Sequence, residues 1–284
     1  MSKRKTVEHV KTESEYQQTR QVLRMLVRAR EDFQSMRKRM DNRIGRKSDG
    51  TDQDITDGRA FDVDDSAMFI EVSDDARKQE KEVEKKLIDV LRRMPIYTEY
   101  LEGVKGVGTV AAAHICGSFD IYEARTVSKM WQYCGLNPGM VRGKKRKDRP
   151  DGGFDIIITD TMIRGDKMTT GFVAPFNKSL RTALLGVMAD GFIKCQNSYA
   201  LEYYYPMKAR LEQSENTVEE IRKAGAKAET IEWKEAKKAH RHRAAMRYMV
   251  KMFIKDLYAV WRPMHGLDVR VPYAEEYLGK KHAA

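Results

Sequence analysis

Between residues 14 and 46 the apolar side chains return at a fixed interval: Val22, Leu26, Ala29, Phe33, Met36 and Met40 step by 4, 3, 4, 3 and 4. Only a helix gathers residues so spaced onto one side, and a stripe this narrow is the seam of a coiled coil. Arg24, Arg28, Arg30, Arg37, Lys38, Arg39 and Arg43 fill the remaining surface, and Gly45 with the SDGTD run ends the helix. A second helix is expected from Ser73, a good N-cap, through Val83, Leu87, Val90 and Met94 to Pro95. Two helices around one loop predict an antiparallel hairpin arm over 1–95 with an acidic loop at 48–72. An exposed heptad seam seeks a partner, which predicts a homo-oligomer formed through residues 14–46.

Charge is divided unevenly. Residues 48–75 carry nine aspartates and Glu71 against one base, Arg59; the chain as a whole is +11, so the rest of it sums to +20. Such a surplus favours a polyanionic partner, DNA or structured RNA. Asp52 and Asp54 look like the start of a calcium loop, but Asp57 stands where glycine is required and Val63 where the bidentate glutamate belongs, so no metal is expected. Cys116, Cys134 and Cys195 are far apart and form no C-x-x-C pair, which argues against a disulfide framework or zinc knuckle. No cofactor is indicated. The basic N-terminus has no apolar signal region and no apolar run reaches spanning length, so a cytoplasmic protein without membrane contact is expected.

The segment 101–115, LEGVKGVGTVAAAHI, is the most informative. Gly103, Gly106 and Gly108 punctuate an apolar stretch, and a small-residue helix, Val110–Ile115, follows at once, with Thr109 before it as a further candidate contact. This is a helix-hairpin-helix pattern. Glycine takes positive φ and lacks Cβ, so backbone N–H groups can approach a phosphate; the helix start adds unpaired donors and a positive dipole end; Lys105 adds charge. A purely structural helix–helix turn is the rival reading.

Residues 139–176 differ in kind and read as a β-hairpin or extended insertion: FDIIIT (154–159) reads as a strand, and the basic run Arg142, Lys144, Lys145, Arg146, Lys147 and Arg149 reads as a flexible loop on a phosphate backbone. Helices are expected at 177–192 and 199–213. A polar linker (214–232) then leads to a long helix over about 233–261, whose stripe is His242, Met246, Met249, Phe253, Leu257 and Val260. Lys178 and Arg181 at one helix start, and Arg243 and Arg247 on the long helix, are further candidate phosphate contacts. Tyr199, Tyr203, Tyr204 and Tyr205 suit helix packing better than base stacking. His240 and His242 are two apart on a helix and cannot chelate together. The expected fold is mainly α: the hairpin arm, a helix-hairpin-helix domain over 96–284 with a small β insertion at 139–176, and a long C-terminal helix.

The run GVKGVGTVAAAHICGSFDIYEARTVSKMWQYCGLNPG resembles the C-terminal domain of transposases of insertion sequences 110, 116 and 902, relatives of the Piv DNA invertase. Asp120, Tyr133, Gly135, Leu136 and Pro138 match that pattern, as do Asn177, Leu180, Arg181 and Leu184 further on; FQSMRKRMDNRIGR is similar to the arginine-rich coiled coil before that domain. The resemblance implies DNA binding in transposition or recombination. Two features depart from it. The family's RuvC-like domain with its metal-binding acids has no counterpart here, so Mg²⁺ is implied only with a RuvC-like partner. Arg142 stands where the family has a nucleophilic serine, with Thr159, Thr161, Thr169 and Thr170 as the nearby hydroxyls. No catalytic residue is designated. The alternative is a catalytically inactive, transposase-derived structural or regulatory DNA- or RNA-binding protein.

Overall fold

The computed structural model describes residues 9–10, 12–45, 63–221 and 228–271. The calcium-like Asp52, Asp54 and Asp57 lie outside them. The chain forms two compact units, one of Met1–Thr98 with Ala112–Ser118, the other of Glu99–Ala111 with Phe119–Ala284; the sequence suggests a single boundary at 95/96.

The first unit is built on two helices, α1 (Glu13–Ile44) and α2 (Val63–Leu91). Thr12 starts α1 with a reciprocal cap: its hydroxyl accepts from the Glu15 N–H and the Glu15 carboxylate accepts from its own, both at 3.2 Å. Gly45 ends it at φ 76°. The two helices pack antiparallel, and their seam changes character along its length. At one end Leu23 and Val27 of α1 are buried, as are Val83, Leu87, Val90 and Leu91 of α2. At the other end the seam is ionic. Arg37 donates to Glu80 (2.8 Å) and Asp41 (3.3 Å); Arg30 holds Glu80 (2.7 Å) and Glu84 (2.9 Å); Asp41 also meets Arg77 at 3.3 Å and accepts from the buried Ser73 hydroxyl. Each buried charge is thereby paired, which is the condition for burying it.

Two expectations are corrected. The internal seam of α1 runs through Leu23, Val27, Arg30, Arg37 and Asp41, one residue beyond the expected stripe, and Val22 and Met36 of that stripe are 43% and 42% exposed. The expected stripe lies beside the intramolecular seam; half of that seam is charged, so a count of apolar residues does not find it. The second correction concerns α2, which begins at Val63, inside the expected acidic loop 48–72. Ser73 is no cap; it sits mid-helix as a seam residue, and Phe69, one turn earlier, is half-buried.

The second unit is organised around α9 (Lys238–Met264). Its expected stripe is the centre of a wider buried arc that adds Val250, Ile254, Tyr258 and Trp261, as suits a helix with neighbours on several sides. The side chain of Arg262, at its end, donates to the carbonyls of Ile121 (3.0 Å), Ala124 (3.2 Å) and Asp268 (2.5 Å). Around α9 lie α5 (Val127–Tyr133), α6 (Lys178–Thr182), which runs on through a π-helical turn (Ala183–Met188) into α7 (Ala189–Lys194), and α8 (Tyr205–Gln213) after a second π turn (Ala200–Tyr204). The β insertion is an antiparallel ribbon of β1 (Met140–Asp148) and β2 (Phe154–Arg164). The expected linker 214–232 holds a second hairpin, β3 (Thr217–Glu220) with β4 (Glu229–Glu232). Each of those strands has one apolar residue, too few for an alternation to register. Among the described residues no helix is long and apolar enough to cross a membrane.

Candidate nucleic-acid interface

The glycine hairpin starts from α3 (Pro95–Glu99) and a 3₁₀ turn, Leu101–Gly103, and delivers α4 (Thr109–Ser118). Between them the Val107 N–H bonds to the Val104 carbonyl at 3.1 Å, with Gly106 at φ 92°; this is the positive φ that a type II turn demands at its third position. The three glycines have different physical reasons. A Cβ on Gly106 would stand 2.8 Å from Phe192 Cδ1 and 3.0 Å from the Gly191 carbonyl carbon, and one on Gly191 would stand 2.9 Å from the Gly106 carbonyl oxygen. Gly106 is therefore required by backbone-to-backbone packing on α7. The buried Asn197 fastens the same turn, its Nδ2 donating to the Lys105 carbonyl at 2.9 Å. Gly103 and Gly108 are exposed, and a Cβ on either would meet nothing within 4 Å. The Lys105 side chain is exposed as well, beside the free start of α4 at Thr109.

The basic run is a strand and not a flexible loop. Arg142, Lys144, Lys145, Arg146 and Lys147 all lie on β1, paired with Met162, Ile158, Ile157, Ile156 and Asp155 across the ribbon. The pairing puts Lys144, Arg146, Ile156 and Ile158 on one face and Lys145, Lys147 and Ile157 on the other. Both faces stand in solvent, with Ile156, Ile157 and Ile158 at 46, 43 and 61% exposure. The ribbon is stiffened from within. Arg146 lies 4.2 Å over the Phe154 ring and Lys145 5.0 Å over Phe172, whose ring leaves no room for a side chain at Gly143. Arg149 belongs to the ribbon's turn, where it pairs with Asp151 (3.4 Å) and Asp155 (3.6 Å).

Of the remaining candidates, Arg181, Arg243 and Arg247 are brought together along one cleft, while Lys178 is exposed outside its lining. Asn177 spends its side chain on structure: Oδ1 caps α6 through the Leu180 N–H at 3.0 Å, and Nδ2 donates to the Tyr133 hydroxyl at 3.1 Å. Tyr199 and Tyr204 are buried; Tyr199 donates to Asp256 at 2.9 Å and lies 2.7 Å from the Tyr100 hydroxyl, and burial pushes its own pKa far up. The packing expectation holds for Tyr199 and Tyr204, whereas Tyr203 is half-buried and Tyr205 exposed. His240 and His242 face different partners, Glu220 at 3.0 Å and Tyr204 at 2.6 Å. Burial pushes the Cys134 thiol up to about 12, and Cys116 is raised by burial too.

The residues that carry the transposase resemblance have local structural duties. Gly135 (φ 70°) ends α5 where a Cβ would stand 2.6 Å from Phe176 Cγ, and Leu136 closes the turn back to the Trp131 carbonyl at 2.7 Å. Arg142 is an exposed strand residue, and the Thr159 hydroxyl donates to the Gly143 carbonyl at 3.0 Å. No protein-family model matches the chain, and no curated protein or solved structure matches it either.

Proposed function

We propose that this chain binds nucleic acid, gripping the phosphate backbone with the β1–β2 ribbon and the exposed rim of the glycine hairpin, in the DNA transposition or recombination setting that its resemblance to transposases implies. The observation that carries the reading is the ribbon. A two-stranded β ribbon is narrow enough for the major groove. This one sets five cations along one strand and exposed isoleucines opposite three of them. Cations in that arrangement neutralise phosphates and release counterions, and exposed aliphatic side chains between them suit contact with base edges or a wedge between base steps. Gly108 and Thr109 offer backbone N–H groups at a helix start, with Lys105 beside them.

A binding role is favoured over catalysis by Arg142. It occupies the position of the resembled serine, and a guanidinium, protonated at all working pH values, has no lone pair with which to attack phosphorus. An inactive, transposase-derived DNA- or RNA-binding protein is therefore the reading adopted; a RuvC-like partner chain and Mg²⁺ belong to the active alternative.

The test is duplex binding as a function of salt. Affinity is expected to fall with a log–log slope of roughly −4 to −8, and Lys144→Ala with Arg146→Ala should make that slope shallower by about 2. The loss should be the same on unrelated sequences, since backbone contacts position without specifying. A flat salt response, or a double variant with the wild-type slope, would remove the proposal.

A further inference from the structure

The wall of the second unit where α6 meets α9 is cut by a cleft of about 360 Å³, within the ~300–1,000 Å³ usual for small-molecule sites. One side is formed by Arg181, Thr182, Leu185 and Gly186, which share a face of α6 and its π turn; the other by Arg243, Met246 and Arg247, which share a face of α9. π turns of this kind are found often at functional sites.

Three guanidinium groups line this cleft, and no carboxylate does. Among the described residues Arg181 is held by neutral groups alone, its Nη1 donating to the Asp166 carbonyl at 2.7 Å and its plane lying 4.6 Å over the Phe176 ring. The Asp166 carboxylate is already committed to Arg164, through two hydrogen bonds of 3.0 Å. Arg243 is exposed and Arg247 half-buried, and among the described residues neither has a hydrogen bond or an ion pair. Burial lowers the pKa of Arg247, Asp166 raises it, and Arg181, Arg164 and Arg243 lower it further. A guanidinium taken partly out of water beside like charges is a standing cost unless an anion joins it. Between the arginines the floor is aliphatic, Leu185 and Met246, with the Thr182 hydroxyl at its edge.

We propose that this cleft binds a nucleotide, the phosphate between Arg243 and Arg247 and the base against Leu185 and Met246. Paired guanidinium forks match phosphate oxygens, and a methionine sulfur beside an aliphatic wall is a favourable surface for an aromatic ring. A base still paired in a duplex brings its partner with it, so the occupant is an unpaired nucleotide at a strand end or a free mononucleotide. The inference rests on the nucleic-acid reading only in the choice of a nucleotide as ligand, and none of the residues lining its site lies on the ribbon or the hairpin.

The whole protein is titrated calorimetrically with adenosine 5′-monophosphate, adenosine, inorganic phosphate and 5′-phosphorylated pentathymidylate. Adenosine monophosphate is expected to bind below about 1 mM and at least ~10-fold tighter than adenosine or phosphate alone. A tighter pentathymidylate assigns a strand end; a tighter mononucleotide assigns the free nucleotide. Arg247→Met should weaken the nucleotide at least ~10-fold. Gly186→Leu should do the same by filling the cleft while leaving every charge in place; a Cβ there has no neighbour nearer than Thr182 Cγ2 at 3.8 Å. Nucleotide no tighter than phosphate, no binding at all, or wild-type binding by Gly186→Leu overturns the assignment, and the last decides the matter should Arg247→Met fail to fold. The salt titration of duplex binding is read separately: a flat response there with nucleotide still bound here sinks the backbone-gripping proposal and leaves this one standing.

Discussion

Gly106→Ala should be costly and Gly103→Ala nearly free, although the two glycines look equivalent in the sequence. At Gly106 two costs combine. An L-residue forced to φ 92° costs about 1–2 kcal/mol. The added methyl stands 2.8 Å from Phe192 Cδ1 and 3.0 Å from two backbone atoms of α7; the ring edge can shift and the backbone cannot, so overpacking adds about 1–3 kcal/mol. The sum is about 2–5 kcal/mol, which lowers the melting temperature of a domain this size by on the order of 10 °C. Gly103 has a negative φ and open space around it, so its alanine variant should stay within ~0.5 kcal/mol of wild type. Urea unfolding followed by circular dichroism reads both. Equal midpoints for the two variants would refute the packing argument and return Gly106 to the solvent-facing rim, where Gly108 and Lys105 remain the residues for a test of phosphate contact.

Arg37→Met should destabilise the protein by about 1.5–3 kcal/mol in urea unfolding, because it takes from the buried Glu80 and Asp41 one of the cations that pair them and leaves Arg30 and Arg77 to hold them; Lys85→Met, which breaks the exposed pair with Glu82, should leave the midpoint near wild type, and a similar loss for both would contradict the network. Burial lowers the pKa of His114, Glu31 at 3.5 Å raises it and Arg30 lowers it. The unfolded chain therefore takes up the proton first, and the stabilisation present above the unfolded value of about 6.5 is lost as pH falls. His114→Gln should make the decline in melting temperature from about pH 7 to 5 shallower, with His265, also lowered by burial, keeping part of it; an unchanged decline rejects His114 as a contributor. Met36→Asp lies on the exposed stripe of α1 and should leave the melting curve intact while converting any dimer seen by light scattering to monomer; a wild-type monomer at micromolar concentration ends the expectation of pairing through residues 14–46.

Legibility in the sequence followed the physics of each element. Helices that bury aliphatic residues announced themselves, as Val83, Leu87, Val90 and Met94 did, and so did the β insertion through its run of β-branched residues. What failed to show was whatever rests on polar groups or on meetings distant in sequence. The charged half of the α1 seam displaced the reading by one residue, and β3 and β4 were too short and too polar to alternate. The candidate site was legible as residue types without their grouping. Gly106 reads as a phosphate contact until Gly191, far along the chain, is seen against it. Arg181 and the pair Arg243 and Arg247 are more than 60 residues apart, and only the packing of α6 on α9 makes one cleft of them.

The ionic end of the α1–α2 seam also limits how the arm can change in length. Aliphatic seams tolerate sliding by a heptad, because one leucine layer is much like the next. Here a seven-residue slip would take Arg37 from Glu80 to Ser73 or Leu87, leaving buried charges unmatched in both helices, a penalty that fixes register. A heptad added to α1 alone would meet the same obstacle. Lengthening or shortening the arm therefore requires matched insertions or deletions in both helices, so any variants of this chain with arms of other lengths should differ by paired blocks of seven.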